Sequence, residues 1–524
     1  MMEIKRILLI FLWLFSVGYL SATPKPNILL IYADDLDADE LNVTMDRVGT
    51  WASPHGARRV VGAGLKAGVP KVLTPHIDSL AADGMLFTRF YVNGTVCTSS
   101  RYCLMTGRHA TRGVELQKDY PAGTHATLEW RPAIVREETN LARELQRLGY
   151  RTGIIGKWHN MPDKVLPKRK KNAHHPNATY ETTKEFEQDI RNYYETGIAY
   201  LSEGFGWDVV DRMEWGNSIV NLDWQCEGAL KFIEESQEEP FFLYCSLPVP
   251  HGQYYFSYND VTSYDQRVTS AGISEEPIVF LPTAEDVLLR TRAASVVDKN
   301  AMATRMDDYV GAVLSKIDSL GLSENTLVIF TSDHGSRGKN SVYEGGAKVP
   351  MMIKWPDRID AGLENDDLIG NIDIAATLIE VAGGSAPADM IEDGRSFFSQ
   401  LFGKKQSEDW RTEMLIEAGN SRAIVTRDWK YIANRVTPEI QARMNARPSE
   451  VFWTGVDHHN YQTEQMYPAY WDADQLYDLN NDLYEQQNLS KESDHQARLE
   501  QMQKCLDEVV AGLPQTFGEF GKSK

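Results

Sequence analysis

Two carboxylates, Asp34 and Asp35, stand side by side directly after the apolar run Asn27-Ile28-Leu29-Leu30-Ile31-Tyr32. Held together without a partner they repel. A divalent cation resolves the repulsion, and oxygen donors of this kind favour Ca²⁺ or Mg²⁺. A helix N-cap pair is the other reading of the same two residues. Lys157 and His159 lie two residues apart in Gly156-Lys157-Trp158-His159-Asn160, after the short run Thr152-Gly153-Ile154-Ile155, so both basic groups can converge on one anion. His251 closes Leu247-Pro248-Val249-Pro250-His251. Imidazole exchanges its proton near neutral pH, although taken alone this residue reads more often as a satisfied polar group than as a catalyst. The run Cys97-Thr98-Ser99-Ser100-Arg101-Tyr102-Cys103-Leu104-Met105-Thr106-Gly107-Arg108 sets a thiol, three hydroxyls and a guanidinium within five residues. On its own, Cys97 could also be a small buried hydrophobe ahead of a helix.

Most of these groups follow a short, continuously apolar segment, the pattern of a buried parallel strand. Asn27–Tyr32, Thr152–Ile155, Pro240–Ser246 and Thr326–Thr331 are such segments, and Met85–Tyr91 is predicted as the strand that delivers Cys97. Open α/β sheets gather their ligands at the carboxyl ends of the strands, where Asp34, Lys157, His251 and Asp333 fall. Helices are predicted from Thr74-Pro75, over Asn140–Leu148, and where Met302, Met306, Val310, Val313, Leu314 and Ile317 recur at spacings of three and four. From about residue 406 the pattern changes. Thr412–Ile416 and Ala423–Ile432 read as strands separated by Gly419-Asn420, and a last helix spans roughly 491–512.

The run from Cys97 to Arg108 resembles the signature of the type I sulfatases, C-x-[P/A]-S-R-x-x-x-[L/M]-T-G-R, with Ser99 in place of the usual Pro or Ala. In that family the Cys is oxidised to formylglycine, whose hydrate has two hydroxyls on one carbon. One takes the sulfuryl group and deprotonation of the other expels it, which gives covalent catalysis its exit. Thr74-Pro75-His76-Ile77-Asp78-Ser79-Leu80 resembles the family's T-P-N-I-D-x-L, Gly156–Asn160 its G-K-W-H-L-G, and Thr331-Ser332-Asp333-His334-Gly335 its T-S-D-[N/H]-G. The resemblance implies a metal shell of Asp34, Asp35, Asp333, His334 and the oxygen of modified Cys97, holding Ca²⁺ with Mg²⁺ as the other option. It implies that Arg101 positions the modified residue and that Lys157 contacts the sulfate. His159 takes the diol proton, while His251 binds sulfate or protonates the departing alcohol. Lys339, five residues before Glu344-Gly345-Gly346, and Lys348, in place of the usual Arg before Val-Pro, are implied as further sulfate-binding groups.

It further implies the alkaline-phosphatase-like α/β fold: a large, mixed, mostly parallel sheet sandwiched by helices, plus a smaller C-terminal α+β domain with an antiparallel sheet. The expected division is a signal peptide over 1–22, a catalytic domain over 23–405 and a C-terminal subdomain over 406–524. The expected activity is hydrolysis of sulfate esters, with a sulfated poly- or oligosaccharide as substrate (an algal polysaccharide such as ulvan, carrageenan or fucoidan, or a glycosaminoglycan). A phosphomonoester or phosphonate-ester hydrolase on the same scaffold, or a non-catalytic glycan binder with unmodified Cys97, are the alternatives. A formylglycine-generating or anaerobic sulfatase-maturating enzyme is the expected maturation partner.

Composition sets the outer bounds. Hydrophobic residues at 42% and charged residues at 24% belong to a folded globular protein. The net charge of −20 argues against a nucleic-acid or anionic-membrane binder, so any anion site must be locally basic. Lys5 and Arg6 before the apolar run from Ile7 read as a secretory signal, implying export to the periplasm or medium and no lasting membrane span. Five cysteines are few for an exported chain, and those other than Cys97 are expected to be mostly unpaired and buried. Residues 38–73, with Trp51, His55, Arg58 and Arg59, read as an insertion. Lys168-Arg169-Lys170-Lys171 and His174-His175 read as solvated charge, and 434–474 as a second segment able to face substrate.

Overall fold

The computed structural model describes residues 25–44, 72–128, 132–168, 178–216, 219–251, 261–262, 265–403, 410–448, 450–454 and 463–518. The expected signal peptide, most of the 38–73 insertion, Arg169–Lys171 with the His174-His175 pair, and part of 434–474 lie outside these residues.

Eight strands form the main sheet: β1 (Asn27–Ala33), β2 (Met85–Phe87), β3 (Arg151–Lys157), β4 (Val209–Glu214), β5 (Phe241–Ser246), β6 (Thr326–Ser332), β7 (Met351–Lys354) and β8 (Leu363–Asn365). Their order is β8-β2-β7-β6-β1-β5-β3-β4. The block β6-β1-β5-β3-β4 is parallel, β7 runs antiparallel to both neighbours, and β8 is parallel to β2.

β1 shows why its sequence is apolar throughout. Ile28, Leu30 and Tyr32 pack on one face, with helices α2 (Cys97–Thr106), α3 (Leu141–Arg147) and α6 (Ile374–Val381). Leu29, Ile31 and Ala33 pack on the other, with α1 (Pro75–Ala82), α4 (Leu222–Glu235) and α5 (Ala301–Ser319). Both faces are covered, so the period-2 alternation of a half-exposed strand is absent.

A separate four-stranded antiparallel sheet follows, in chain order: β9 (Glu413–Ala418), β10 (Ser421–Thr426), β11 (Trp429–Asn434) and β12 (Asp474–Asp478). Helix α7 (Gln496–Val510) packs its Leu499, Met502 and Leu506 with Leu415, Ile424 and Tyr431 of that sheet.

Two expectations change. Ala423–Ile432 is not one strand: the chain reverses between Thr426 and Trp429, and the Trp429 N–H donates to the Thr426 hydroxyl at 3.0 Å. Apolar residues on both sides of a tight turn look continuous in one dimension. Met85–Tyr91 is likewise broken. Met85–Phe87 stays in the main sheet, whereas Phe90–Tyr91 leaves it to pair with Ile369–Gly370. All five cysteines are free thiols, four of them buried.

The two sheets are joined by a buried charge cluster. Lys430 Nζ of β11 lies 3.0 Å from both Glu344 Oε1 and Glu485 Oε1, and the Glu344 N–H donates to Glu485 Oε2 at 2.6 Å. Burial, opposed by Lys430 and reinforced by Glu344, pushes the Glu485 carboxyl up to about 8. A carboxyl raised in the folded state stabilises fully below its unfolded value and loses that contribution as pH rises through its folded value. The melting temperature should therefore carry a downward slope between about pH 5 and 8 from this group. That slope should be shallower in Glu485→Gln, measured by thermal melts across the window.

Candidate active site

The carboxyl ends of four neighbouring parallel strands converge. Ala33 pairs with Ser332 across β1 and β6, and the Asp333 N–H donates to the Ala33 carbonyl at 3.0 Å, so Asp34 and Asp333 leave the sheet at one level. Asp35 then adopts φ 63°, a left-handed conformation that Asp tolerates better than most residues, and its N–H donates to Asp333 Oδ1 at 3.2 Å. Lys157 is the last residue of β3. His251 lies five residues beyond β5, on a segment whose Val249 carbonyl accepts from the Asp34 N–H at 3.0 Å.

Helix α2 starts at Cys97, so its thiol is carried on the first turn. Ser99 supplies the local entry geometry. Its hydroxyl donates to the Val96 carbonyl at 3.1 Å and accepts from the Val96 N–H at 3.4 Å. A Cβ on Gly94 would fall 2.4 Å from that hydroxyl, so the serine and the glycine fit as a pair. Ser99 thus has a structural role of its own where the signature usually has Pro or Ala. Asn160 donates to the carbonyls of Thr98 at 2.7 Å and Pro132 at 2.8 Å, tying the loop after β3 to the first turn of α2.

Around Cys97 the polar atoms are close and buried. Its Sγ lies 3.3 Å from His334 Nε2, 3.5 Å from Lys157 Nζ and 3.6 Å from Asp34 Oδ1. Lys157 Nζ is 2.5 Å from Asp34 Oδ2, and Lys339 Nζ is 2.8 Å from Asp35 Oδ1 and 3.0 Å from His251 Nε2. His334 Nε2 lies 3.3 Å from Asp35 Oδ1 and 3.6 Å from Asp333 Oδ1. Arg101 fans out beneath: Nη2 reaches Asp34 Oδ2 at 3.0 Å and Asp333 Oδ2 at 2.9 Å, while Nη1 donates to the hydroxyls of Tyr244, at 3.1 Å, and Ser246. The Ser246 hydroxyl donates onward to the Lys157 carbonyl at 2.6 Å.

These surroundings set the protonation states. Burial, then the neighbouring Asp34, pushes the Cys97 thiol up, so an unmodified Cys97 is not poised as a thiolate nucleophile. Burial works against ionised Asp34, yet Lys157, His251 and Arg101 hold its carboxyl well below the usual range. Burial and Lys157 hold His159 well below the ordinary imidazole value, and burial and Lys339 do the same for His251. Both imidazoles are therefore neutral at pH 7. Gly216, at φ 71°, allows a close approach to the first of them: a Cβ there would fall 2.5 Å from His159 Cδ2.

Asp34, Asp35, Cys97 and His334 each offer a ligand atom, all within 4.8 Å of one another. Three fully or nearly buried carboxylates, with Asp333, make an oxygen-rich donor set of the kind Ca²⁺ or Mg²⁺ takes. The imidazole is the less usual member. The residues present fit a hard divalent cation.

Ten of the eleven residues singled out by sequence lie in or beside this cluster. Lys348 does not join it. The charges acting on Lys348 are those of Glu344, Arg89 and Lys430, at the seam with the small sheet, and it bridges Tyr91 in antiparallel fashion. Closeness in sequence to Lys339 did not translate into closeness in space, because the short helix Glu344–Ala347 intervenes. Tyr244 and Ser246, which share one face of β5 and hold Arg101, were missed. Their i, i+2 spacing was the available signal.

The sequence model of the sulfatase family matches residues 26–385. An ulvan-active sulfatase of Formosa agariphila is 26% identical over 511 residues, spanning 94% of this chain and 83% of that protein. An N-acetylgalactosamine-6-O-sulfatase of Bacteroides thetaiotaomicron is 25% identical, spanning 93% of both chains. Among solved structures, a sulfatase from a Pseudoalteromonas species shares the fold, with a TM-score of 0.58 at 20% identity, over 95% of this chain and 92% of the other.

Proposed function

The chain belongs to the sulfatase family, and from that premise we propose that it hydrolyses sulfate esters of a carbohydrate through a formylglycine derived from Cys97. The observation that carries this reading is the meeting of Cys97, Lys157, His334 and Asp34 within 3.6 Å of the thiol, at the first turn of α2. A divalent cation held by Asp34, Asp35, Asp333, His334 and modified residue 97 would polarise a sulfate oxygen and favour the ionised diol. Formylglycine would supply one hydroxyl to accept the sulfuryl group and a second to expel it.

The remaining work falls to the chain's own groups. Asp34, Asp35 and Asp333 are balanced by Arg101, Lys157 and Lys339, so the cluster is close to neutral without a metal and positive with one. That makes a basic island in an acidic protein, suited to an anionic ester. Lys157, with its ammonium 3.5 Å from residue 97, is placed to hold a sulfuryl oxygen. His159, neutral by burial, is the acceptor for the diol proton. Lys339 and His251, 3.0 Å apart, form a relay that delivers a proton to the departing alcohol oxygen. Arg101 keeps the carboxylates of Asp34 and Asp333 in register.

Relatives named for ulvan and for N-acetylgalactosamine 6-O-sulfate support a sulfated poly- or oligosaccharide as substrate. The basic and apolar N-terminal run supports export to the periplasm or medium, with maturation by a formylglycine-forming enzyme on the way. Among the described residues no helix is long and apolar enough to cross a membrane. Parallel assays on sulfate and phosphate esters of nitrophenol and on a panel of sulfated glycans test the reading. Sulfate release that a chelator abolishes and Ca²⁺ restores is expected, whereas a preference for the phosphate ester would replace this reading with phosphoesterase chemistry.

A further inference from the structure

Asn340 directly follows Lys339, is 4% exposed and sits at φ 61°. Its N–H donates to the Thr95 carbonyl at 2.9 Å, fastening the lysine's loop to the segment that enters Cys97. Among the described residues it is the one side chain whose buried donor and acceptor, Nδ2 and Oδ1, both lack a hydrogen-bond partner. The Thr95 and Thr98 hydroxyls, on either side of Cys97 in sequence and 0% and 2% exposed, lack partners too. Buried polar groups are normally paired, so the Asn340 carboxamide and the hydroxyls of Thr95 and Thr98 leave donors and acceptors open on the two segments that the Asn340–Thr95 bond ties together next to Cys97.

We propose that Asn340, supported by Thr95 and Thr98, binds a free hydroxyl of the substrate sugar next to its sulfated carbon, an inference that rests on the sulfatase reading above. The chemistry selects a hydroxyl over a second sulfate. A carboxamide offers a donor and an acceptor, and a hydroxyl can answer both, whereas sulfate oxygens only accept and would leave Oδ1 unpaired. A site built to pair with a substrate hydroxyl discriminates strongly against the analogue that lacks it, because the protein's polar groups are then stranded.

The test compares two substrates on the full-length matured protein: a sulfated monosaccharide that it hydrolyses, and the counterpart with hydrogen in place of the neighbouring hydroxyl. Wild type should prefer the hydroxyl-bearing ester by at least about tenfold in kcat/KM. Asn340→Gly, which suits the left-handed φ, should bring that preference close to one. Thr95→Val, nearly the same shape, should reduce it in part. A preference that survives in Asn340→Gly and Thr95→Val overturns the inference, as does a wild type that does not distinguish the pair. An equal loss on both esters in the variants also overturns it, since that is the mark of a structural role. A wild type unable to release sulfate from any ester would overturn the sulfatase reading itself, and this inference with it.

Discussion

A Cys97→Ala variant is expected to lose sulfate-ester hydrolysis by at least about 10⁴-fold in kcat/KM, the scale on which removing a covalent nucleophile acts. The loss should appear in kcat, because Lys157, the group proposed to hold a sulfuryl oxygen, remains in place. Stability should fall by only about 1–2 kcal/mol, since the alanine removes one buried atom from a helix whose entry is secured by Ser99 and Val96. Cys97→Ser separates the chemistry further. A serine that escapes oxidation offers one hydroxyl, so it can accept a sulfuryl group but has no second hydroxyl to expel it. Its expected signature is a substoichiometric burst followed by stalled turnover, read by pre-steady-state assay. Steady turnover by Cys97→Ala would exclude the mechanism.

Arg101→Ala should be the most damaging single change to stability in the site. Arg101 is 2% exposed and is the common partner of Asp34 and Asp333. Its removal strips Asp333 of its guanidinium partner and leaves Asp34 with Lys157 alone, and breaking a buried pair from one side costs on the order of 3–5 kcal/mol. Activity should fall with it, because the same carboxylates form the proposed metal shell. Arg101→Lys keeps the charge but cannot reach Asp34, Asp333, Tyr244 and Ser246 with one planar fork, so it should recover part of the stability and less of the activity. Denaturant unfolding of the three proteins in parallel reads the order wild type, Lys, Ala. A fully stable Arg101→Ala would mean that the carboxylates do not depend on it.

The central strands were legible because burial on both faces forces unbroken apolar runs, and Asn27–Ala33 needed no alternation to be found. The site was legible for a related reason: groups placed at the ends of parallel strands meet wherever the sheet order brings those strands together. That order is itself non-sequential and could not be read from the chain. Lys348 shows the cost. It sits nine residues after Lys339, yet one short helix turns it toward Glu344 and Lys430. The 427–428 reversal was hidden because Val425 and Tyr431 are apolar on both sides of it. Arg101 was expected to position the modified residue, whereas its reach to Asp333 depends on a pairing 232 residues distant. Ser99 and Asn160 looked like departures from a motif, and three-dimensional packing was needed to see what each one fastens.

The measurement that bears most directly on residue 97 is the intact mass of the tryptic peptide Phe90–Arg101, taken from protein produced with a sulfatase-maturing enzyme. Conversion of the thiol to an aldehyde makes that peptide about 18 Da lighter and reactive toward a hydrazide probe. The predicted result is a converted fraction that rises in proportion to sulfate-releasing activity across preparations. Full activity from protein whose peptide retains the unmodified thiol mass would contradict the account.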